Sequence, residues 1–231
     1  MADLLTYALS DFLLFSRETY NRLFELHNEA VWPAQLVAVA LGIAILALLR
    51  WPSVRQGRAI TAALAACWLW VAWTFHLERY ATINWAATYF AAAFALQALL
   101  LAWWGVVRGR LVFWPGRDRA GQAGLLIFAF ALAVQPLVGP LAGRAWPGVE
   151  VFGVAPDPTV VATLGLLLAA ERTPWGLAAI PVLWCAVGGA TLWAMESPGA
   201  VVMPLAAILF VLLAAWKANL RSRSAARVGA S

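Results

Sequence analysis

The sequence predicts an all-α integral membrane protein: a bundle of seven transmembrane helices, preceded by an amphipathic helix at the membrane interface. Three observations predict this class. Of the 231 residues, 64% are apolar and only 12% are charged, whereas soluble domains carry about 25% charged residues. Long uncharged runs recur along the chain, and the basic residues are unevenly distributed among the segments that join them. The composition argues against a soluble globular domain and against a nucleic-acid-binding module.

Residues 1–30 precede the first long apolar run and predict the interfacial helix. Apolar residues recur there at helical spacing, and charged residues line the opposite face. The apolar face consists of Leu9, Phe12, Leu13, Tyr20, Leu23 and Phe24. Because the polar face is largely acidic, we expect this helix to cap the outer end of the bundle rather than to bind anionic lipid.

Residues 31–216 form the predicted transmembrane domain. A bilayer core about 30 Å thick needs about 20 helical residues. The six uncharged runs that approach this length are 31–49, 59–75, 85–107, 122–141, 174–195 and 198–216. A seventh run, 158–170, is shorter, which indicates a helix broken near its outer end or a short helix attached to a re-entrant loop. Residues 217–231 are predicted to be a disordered, basic cytoplasmic tail.

The arginine and lysine residues decide between six and seven spans, since cytoplasmic loops are enriched in both. With seven spans and the N-terminus outside, twelve basic residues lie on the inner side and four on the outer side. If the run 158–170 does not cross, the split becomes seven inside and nine outside. The distribution therefore predicts seven spans, with the N-terminus outside and the C-terminus in the cytoplasm.

The polar chemistry of the chain gathers at the predicted outer face, where we expect a pocket. Its predicted wall consists of Glu29, Trp32, His76, Asn84, Arg144 and Asp157, with Gln35 below them. Asp157 and Pro158 are typical of a helix start, as N-cap and first helical residue. The alternative is that this helix begins below the surface and aims its N-terminus at an anionic group, with Arg144 assisting.

Both histidines are expected at the outer interface, and each precedes a glutamate by two residues, in His27-Asn28-Glu29 and His76-Leu77-Glu78. Imidazole and carboxylate groups can bind a metal or relay protons. Residues two apart on a helix point in different directions, however. We therefore predict no metal site and no cofactor; His76 and Glu29 are the weak candidates for metal ligands.

Three amides, Gln35, Gln97 and Gln135, lie inside the predicted spans away from their ends. Such residues usually face the interior of a bundle. No acidic or basic residue occupies the middle of a predicted span, which argues against a proton-driven pump. Cys67 and Cys185 lie in apolar runs and are expected to be core residues.

Three stretches of the sequence resemble the signature of an uncharacterised bacterial family of polytopic membrane proteins. They are Asn28-Glu29-Ala30-Val31-Trp32-Pro33-Ala34-Gln35, His76 with Ile83-Asn84, and Pro136-Leu137-Val138-Gly139 with Phe152-Gly153-Val154 and Pro158-Thr159. Members carry a domain of unknown function, and some are labelled MFS transporter permease. The resemblance extends from about Asn28 to Trp216 and implies a multi-pass protein of the bacterial cytoplasmic (inner) membrane. Asp157 stands where the family commonly has a cysteine.

Three functions remain open at this stage. The first is a permease-like protein that binds a small solute or ion in the outward-facing pocket. The second is a non-catalytic subunit or assembly factor with a membrane protein partner, in which every outer polar group would be satisfied within the chain. The third and least favoured is a membrane-embedded enzyme, which would need a carboxylate within bonding distance of His76. All three have the lipid bilayer as a partner, and none involves nucleic acid.

Overall fold

The computed structural model describes residues 15–228, and this part of the chain contains nine α-helices. They are α1 (Arg17–Ala30), α2 (Ala34–Leu48), α3 (Val54–Trp70), α4 (Ala87–Leu101), α5 (Arg119–Ala133), α6 (Gln135–Leu141), α7 (Pro156–Ala169), α8 (Trp175–Ala194) and α9 (Val202–Val228). Two of them continue as π-helical segments, α3 through Val71–Leu77 and α4 through Ala102–Val107. The predicted all-α class is confirmed.

Four helical stretches in the described residues are long and apolar enough to cross a membrane. They are Val54–Thr82, Ala87–Val107, Trp175–Ala194 and Val202–Arg223. The number rises to six if two bent pairs are each one span: α1 with α2, bent by 86°, and α5 with α6, bent by 45°. Helix α7 is apolar but has only 14 residues. The fold is therefore that of a multi-pass membrane protein with four to six candidate spans by length and composition.

Helix α1 has the two-sided character predicted for the interfacial helix. It begins after Ser16, whose hydroxyl accepts a hydrogen bond from the Thr19 amide at 3.2 Å, a standard N-cap. Tyr20, Leu23 and Phe24 are buried on one side, and the helix turns sharply away from α2. Residues 1–14 of the predicted segment, among them Leu9, Phe12 and Leu13, lie outside the described part of the chain.

Helix α7 is the centre of the bundle. All 14 of its residues are buried, and it packs against α3, α5, α8 and α9. A helix enclosed on every side has no polar face, which is why residues 158–170 read as an uninterrupted apolar run. The closest approach is to α5, where a Cβ atom on Gly165 would lie 2.6 Å from the carbonyl oxygen of Gly124.

The start of α7 and the C-terminal segment of the chain both differ from the predictions. The helix begins at Pro156, one residue before Asp157, and no side chain caps it. Asp157 is thus not the N-cap, and its carboxylate accepts from a side chain of α8 instead. In the C-terminal segment, α9 continues through Val228. The residues that were predicted to form a disordered tail therefore begin as helix. Lys217, assigned to that tail, is buried and donates to the carbonyl oxygens of Leu168 and Ala170 at 2.9 and 2.8 Å.

Candidate functional site

A cleft of about 120 Å³ lies at the end of the bundle where α7 begins. It is bounded by α1, α6, the loop 142–155, the start of α7 and the connection between α8 and α9. Its polar lining includes Arg17, Asn21, Gln135, Arg144, Glu150 and Asp157. A concave site with several convergent polar groups is the usual form of a small-ligand site, so the details of these side chains decide what it can bind.

Arg144 is held in the cleft wall by two contacts. One terminal nitrogen, Nη1, donates to Glu150, and the side chains of both residues are only 15% exposed. The guanidinium carbon lies 4.6 Å from the centre of the Phe24 ring, in cation–π contact. Burial opposes the charged form of Arg144, but the adjacent carboxylate of Glu150 raises the pKa of the guanidinium above its ordinary value. Arg144 is therefore a fixed positive charge.

The remaining nitrogens of Arg144, Nε and Nη2, are buried and have no hydrogen-bond partner among residues 15–228. Buried polar groups without a partner are costly and call for an explanation. These two nitrogens form one edge of the planar guanidinium, which is the edge that binds carboxylates through two parallel hydrogen bonds. Arg144, a residue of the cleft wall, thus has an unused pair of donors.

Asp157 is buried at the floor of the cleft, at the first turn of α7. Its Oδ1 accepts a hydrogen bond from the indole N–H of Trp184 on α8 at 2.8 Å. The turn that brings it there depends on Gly153, which has a positive φ of 76° and donates its amide to the Thr159 hydroxyl at 2.8 Å. Positive φ favours glycine, so the local sequence fixes the position of the carboxylate.

Gln135 reaches the cleft because the helix breaks beside it. Pro136 lacks an amide hydrogen, so the backbone bond that would continue α5 into α6 cannot form, and the two helices meet at 45°. The Gln135 side chain is buried, with 8% exposure, and its Oε1 has no hydrogen-bond partner within residues 15–228. Three amides were expected to face the bundle interior. Gln97 and Gln135 are buried as expected, whereas Gln35 is only partly buried; Gln97 donates to the Leu177 carbonyl at 2.9 Å.

The histidines are buried rather than interfacial, which corrects the prediction. His27 donates from Nε2 to the Val154 carbonyl at 3.3 Å, and burial lowers its pKa to about 4. His76 lies in the π-helical segment of α3, and neither of its ring nitrogens has a hydrogen-bond partner in the described part of the chain. Aromatic rings surround it, with centroids of Phe94 at 4.4 Å and Trp184 at 5.0 Å. The Trp184 indole thus contacts both His76 and Asp157.

Of the seven residues predicted to line one pocket, the structure brings Arg144 and Asp157 into the cleft and places the other five elsewhere. Trp32 and Glu29 are exposed on the surface. Gln35 donates to the backbone carbonyl of Asn28 at 2.9 Å, and Asn84 accepts from the Ala86 amide at 3.0 Å, so both fix local backbone. His76 is enclosed in the core.

Three residues of the site or its support are not among the predicted pocket residues: Arg17, Glu150 and Trp184. The spacing of Arg144 and Glu150 across the turn Trp146-Pro147-Gly148 was the available signal, since opposite charges flanking a tight turn come close together. Nothing in the sequence pairs Trp184 with Asp157. Within residues 15–228, no group of three or more histidine, cysteine, aspartate or glutamate residues is placed to hold a metal ion.

Comparison with known proteins gives one match. The family described as a family of unknown function, DUF6064, matches residues 17–225, a range that includes every residue of the cleft. No curated protein matches the chain, and no solved structure does. Since the match covers nearly the whole chain, this protein belongs to the DUF6064 family of unknown function.

Proposed function

We propose that this protein is a permease-like protein of the bacterial inner membrane that binds a small polar solute in the cleft at its outer end. The observation that carries the proposal is the unused hydrogen-bonding capacity of Arg144 and Gln135, which line one cleft. Among residues 15–228, the buried atoms Nε and Nη2 of Arg144 and Oε1 of Gln135 have no hydrogen-bond partner. A protein that uses its polar residues only for folding would satisfy them internally. This observation favours a solute-binding role over a purely structural subunit.

An enzyme centred on His76 has less support. That function needs a carboxylate or another polar partner within bonding distance of the imidazole. Both ring nitrogens of His76 lack a partner, and aromatic rings enclose the side chain. Glu29, the other candidate, is exposed on α1.

We further propose that the chain crosses the membrane seven times, with α7 as the fifth crossing and the N-terminus outside. Support comes from what α7 contacts at its two ends. It begins beside the cleft, together with the loop 142–155. It ends where Lys217 donates to its last carbonyl groups and where Ala170 pairs with Phe113 of the arginine-rich segment 108–119. Other helices enclose α7, so it needs no full-length lipid-facing surface.

A ligand screen tests solute binding directly. The purified full-length protein is heated in detergent with metal ions, small anions, amines, amino acids and lipid head groups, and the unfolding temperature is recorded. A ligand at 100 times its Kd stabilises the folded protein by about 2.7 kcal/mol. We expect at least one solute to raise the unfolding temperature of the wild type but not that of Arg144→Gln.

The matched control is Arg79→Gln, which removes an arginine outside the cleft. It should respond to the same solute as the wild type does. The cleft is not a binding site if no solute raises the unfolding temperature of the wild type, or if the two variants respond equally. The protein should then be sought in complexes with other membrane proteins.

A further inference from the structure

The cleft is lined by residues of both charge types. Arg17 and Arg144 are basic, and Glu150 and Asp157 are acidic. A solute with a single charge would be attracted by one pair and repelled by the other. A solute that carries both charges can place each one beside its opposite, so the electrostatics of the lining favour a zwitterion.

The cationic part of the site is suited to a carboxylate. The free edge of Arg144, Nε with Nη2, presents two donors in the geometry of a bidentate carboxylate contact. Glu150 occupies only Nη1. Gly148 lies beside this edge, and a Cβ atom there would be 3.4 Å from Nε of Arg144.

The opposite part of the site is suited to an ammonium group. A primary ammonium has three N–H donors and needs oxygen acceptors. Asp157 Oδ1 accepts from Trp184, and no hydrogen bond from residues 15–228 engages Oδ2. Gln135 contributes Oε1, which is buried and has no hydrogen-bond partner among the same residues. Together the two side chains supply oxygen acceptors.

The cleft is large enough for a solute of this kind. Its volume of about 120 Å³ is several times the roughly 10–15 Å³ that a site needs in order to hold one water molecule. A small zwitterion such as glycine therefore fits.

We infer that the cleft binds a small amino acid, its carboxylate on the free edge of Arg144 and its ammonium group on Asp157 and Gln135. This inference rests on the proposed function and names its solute class. It assigns distinct roles to the three side chains: Arg144 recognises the carboxylate, and Asp157 and Gln135 recognise the ammonium group.

Isothermal titration of the full-length protein with glycine, acetate and methylamine tests the inference, because the last two each carry one half of the first. We expect glycine to bind at least tenfold more tightly than either half. Arg144→Gln should abolish binding of glycine and acetate. Asp157→Asn, which keeps an acceptor for Trp184, should lower the affinity for glycine at least tenfold and leave the affinity for acetate unchanged.

Gln135→Leu provides a variant that leaves the Arg144–Glu150 ion pair intact, in case Arg144→Gln does not fold. Gln135→Leu should lower the affinity for glycine severalfold and leave the affinity for acetate unchanged. The control Arg79→Gln should bind all three probes as tightly as the wild type does. Acetate or methylamine binding as tightly as glycine would overturn the inference but not solute binding itself. If none of the three binds while another solute class stabilises the protein in the screen, the inference alone fails; if nothing binds in either experiment, both fail.

Discussion

The indole N–H of Trp184 donates to Oδ1 of Asp157 at 2.8 Å, and this bond joins the centre of α8 to the first turn of α7 inside the bundle. Both side chains are buried. The same indole lies against His76 of α3. One tryptophan therefore positions the carboxylate of the cleft and packs against the only histidine of the π-helical segment.

Replacing Trp184 with phenylalanine should destabilise the protein by about 1–3 kcal/mol, because a buried carboxylate oxygen would lose its donor. The phenylalanine ring keeps part of the aromatic packing. Thermal unfolding in detergent measures the effect. Trp193→Phe is the matched control, since Trp193 is 62% exposed, and it should change the unfolding free energy by less than about 0.5 kcal/mol. Equal effects of the two variants would show that the bond contributes nothing.

Gly165→Ala should be strongly destabilising, by about 1–3 kcal/mol or more, because the added methyl group meets backbone atoms rather than flexible side chains. A Cβ atom there would lie 2.6 Å from Gly124 O and 2.7 Å from Phe128 N. Gly176→Ala is the control: no atom lies within 4 Å of its position, and the expected change is below about 1 kcal/mol. Unfolding of both variants in the same detergent checks the comparison.

Lys217→Met should lower the free energy of unfolding by about 1.5–3 kcal/mol. It removes hydrogen bonds from a charged donor to the Leu168 and Ala170 carbonyls and an ion pair with Asp118, whose Oδ2 lies 3.4 Å from Nζ. Arg223→Met, on an exposed part of the same helix, should have little effect. A Lys217 variant as stable as the Arg223 variant would contradict the role assigned to this side chain at the end of α7.

Cysteine labelling tests whether α7 crosses the membrane. The two native cysteines are buried, so background labelling should be low. In intact cells with a permeable outer membrane, a membrane-impermeant maleimide should label Ala145→Cys and leave Arg172→Cys unlabelled. Both native residues are exposed on the protein. After permeabilisation of the inner membrane, both positions should be labelled; labelling of both from outside beforehand would exclude the seventh crossing.

The stability of the protein should fall between about pH 6.5 and pH 4, in part because of His27. Its pKa is lowered from 6.5 to about 4 in the folded state, so the unfolded state binds more protons across this window and unfolding becomes easier as the pH falls. His27→Gln retains a donor for Val154 but does not titrate. It should show a smaller loss of stability between pH 7 and pH 4, measured by thermal unfolding across a pH series.

Much of the helical framework was predictable because membrane helices are long, apolar and nearly uncharged, and such runs can be recognised in the sequence. The runs 85–107 and 174–195 correspond closely to the helical stretches Ala87–Val107 and Trp175–Ala194. The break within 122–141 falls beside Pro136, where the loss of an amide hydrogen bends the helix. Helix α9 extends beyond its predicted end at Trp216. Lys217, the next residue, bonds to the end of α7, a contact with a distant segment that local polarity does not reveal.

The candidate site was predictable only in part. Arg144 and Asp157 were identified because charged residues are rare in this chain and both fall at the outer end of predicted spans. His76 and Asn84 fall at the same depth by that criterion, but depth does not specify which side of a helix faces which neighbour. Gln135 could be predicted to face the interior, but the cleft it faces forms only when α6 and the loop 142–155 fold beside α7.

By itself, the sequence determined the membrane environment, the all-α class and the approximate position of most helices, since all three follow from hydrophobicity and spacing along one chain. Only the tertiary structure decided that α7 lies at the centre, that Trp184 meets Asp157, and that the histidines are enclosed by aromatic rings. The physical reason is that these contacts join segments far apart in sequence, and their formation depends on the rotation and packing of whole helices around one another.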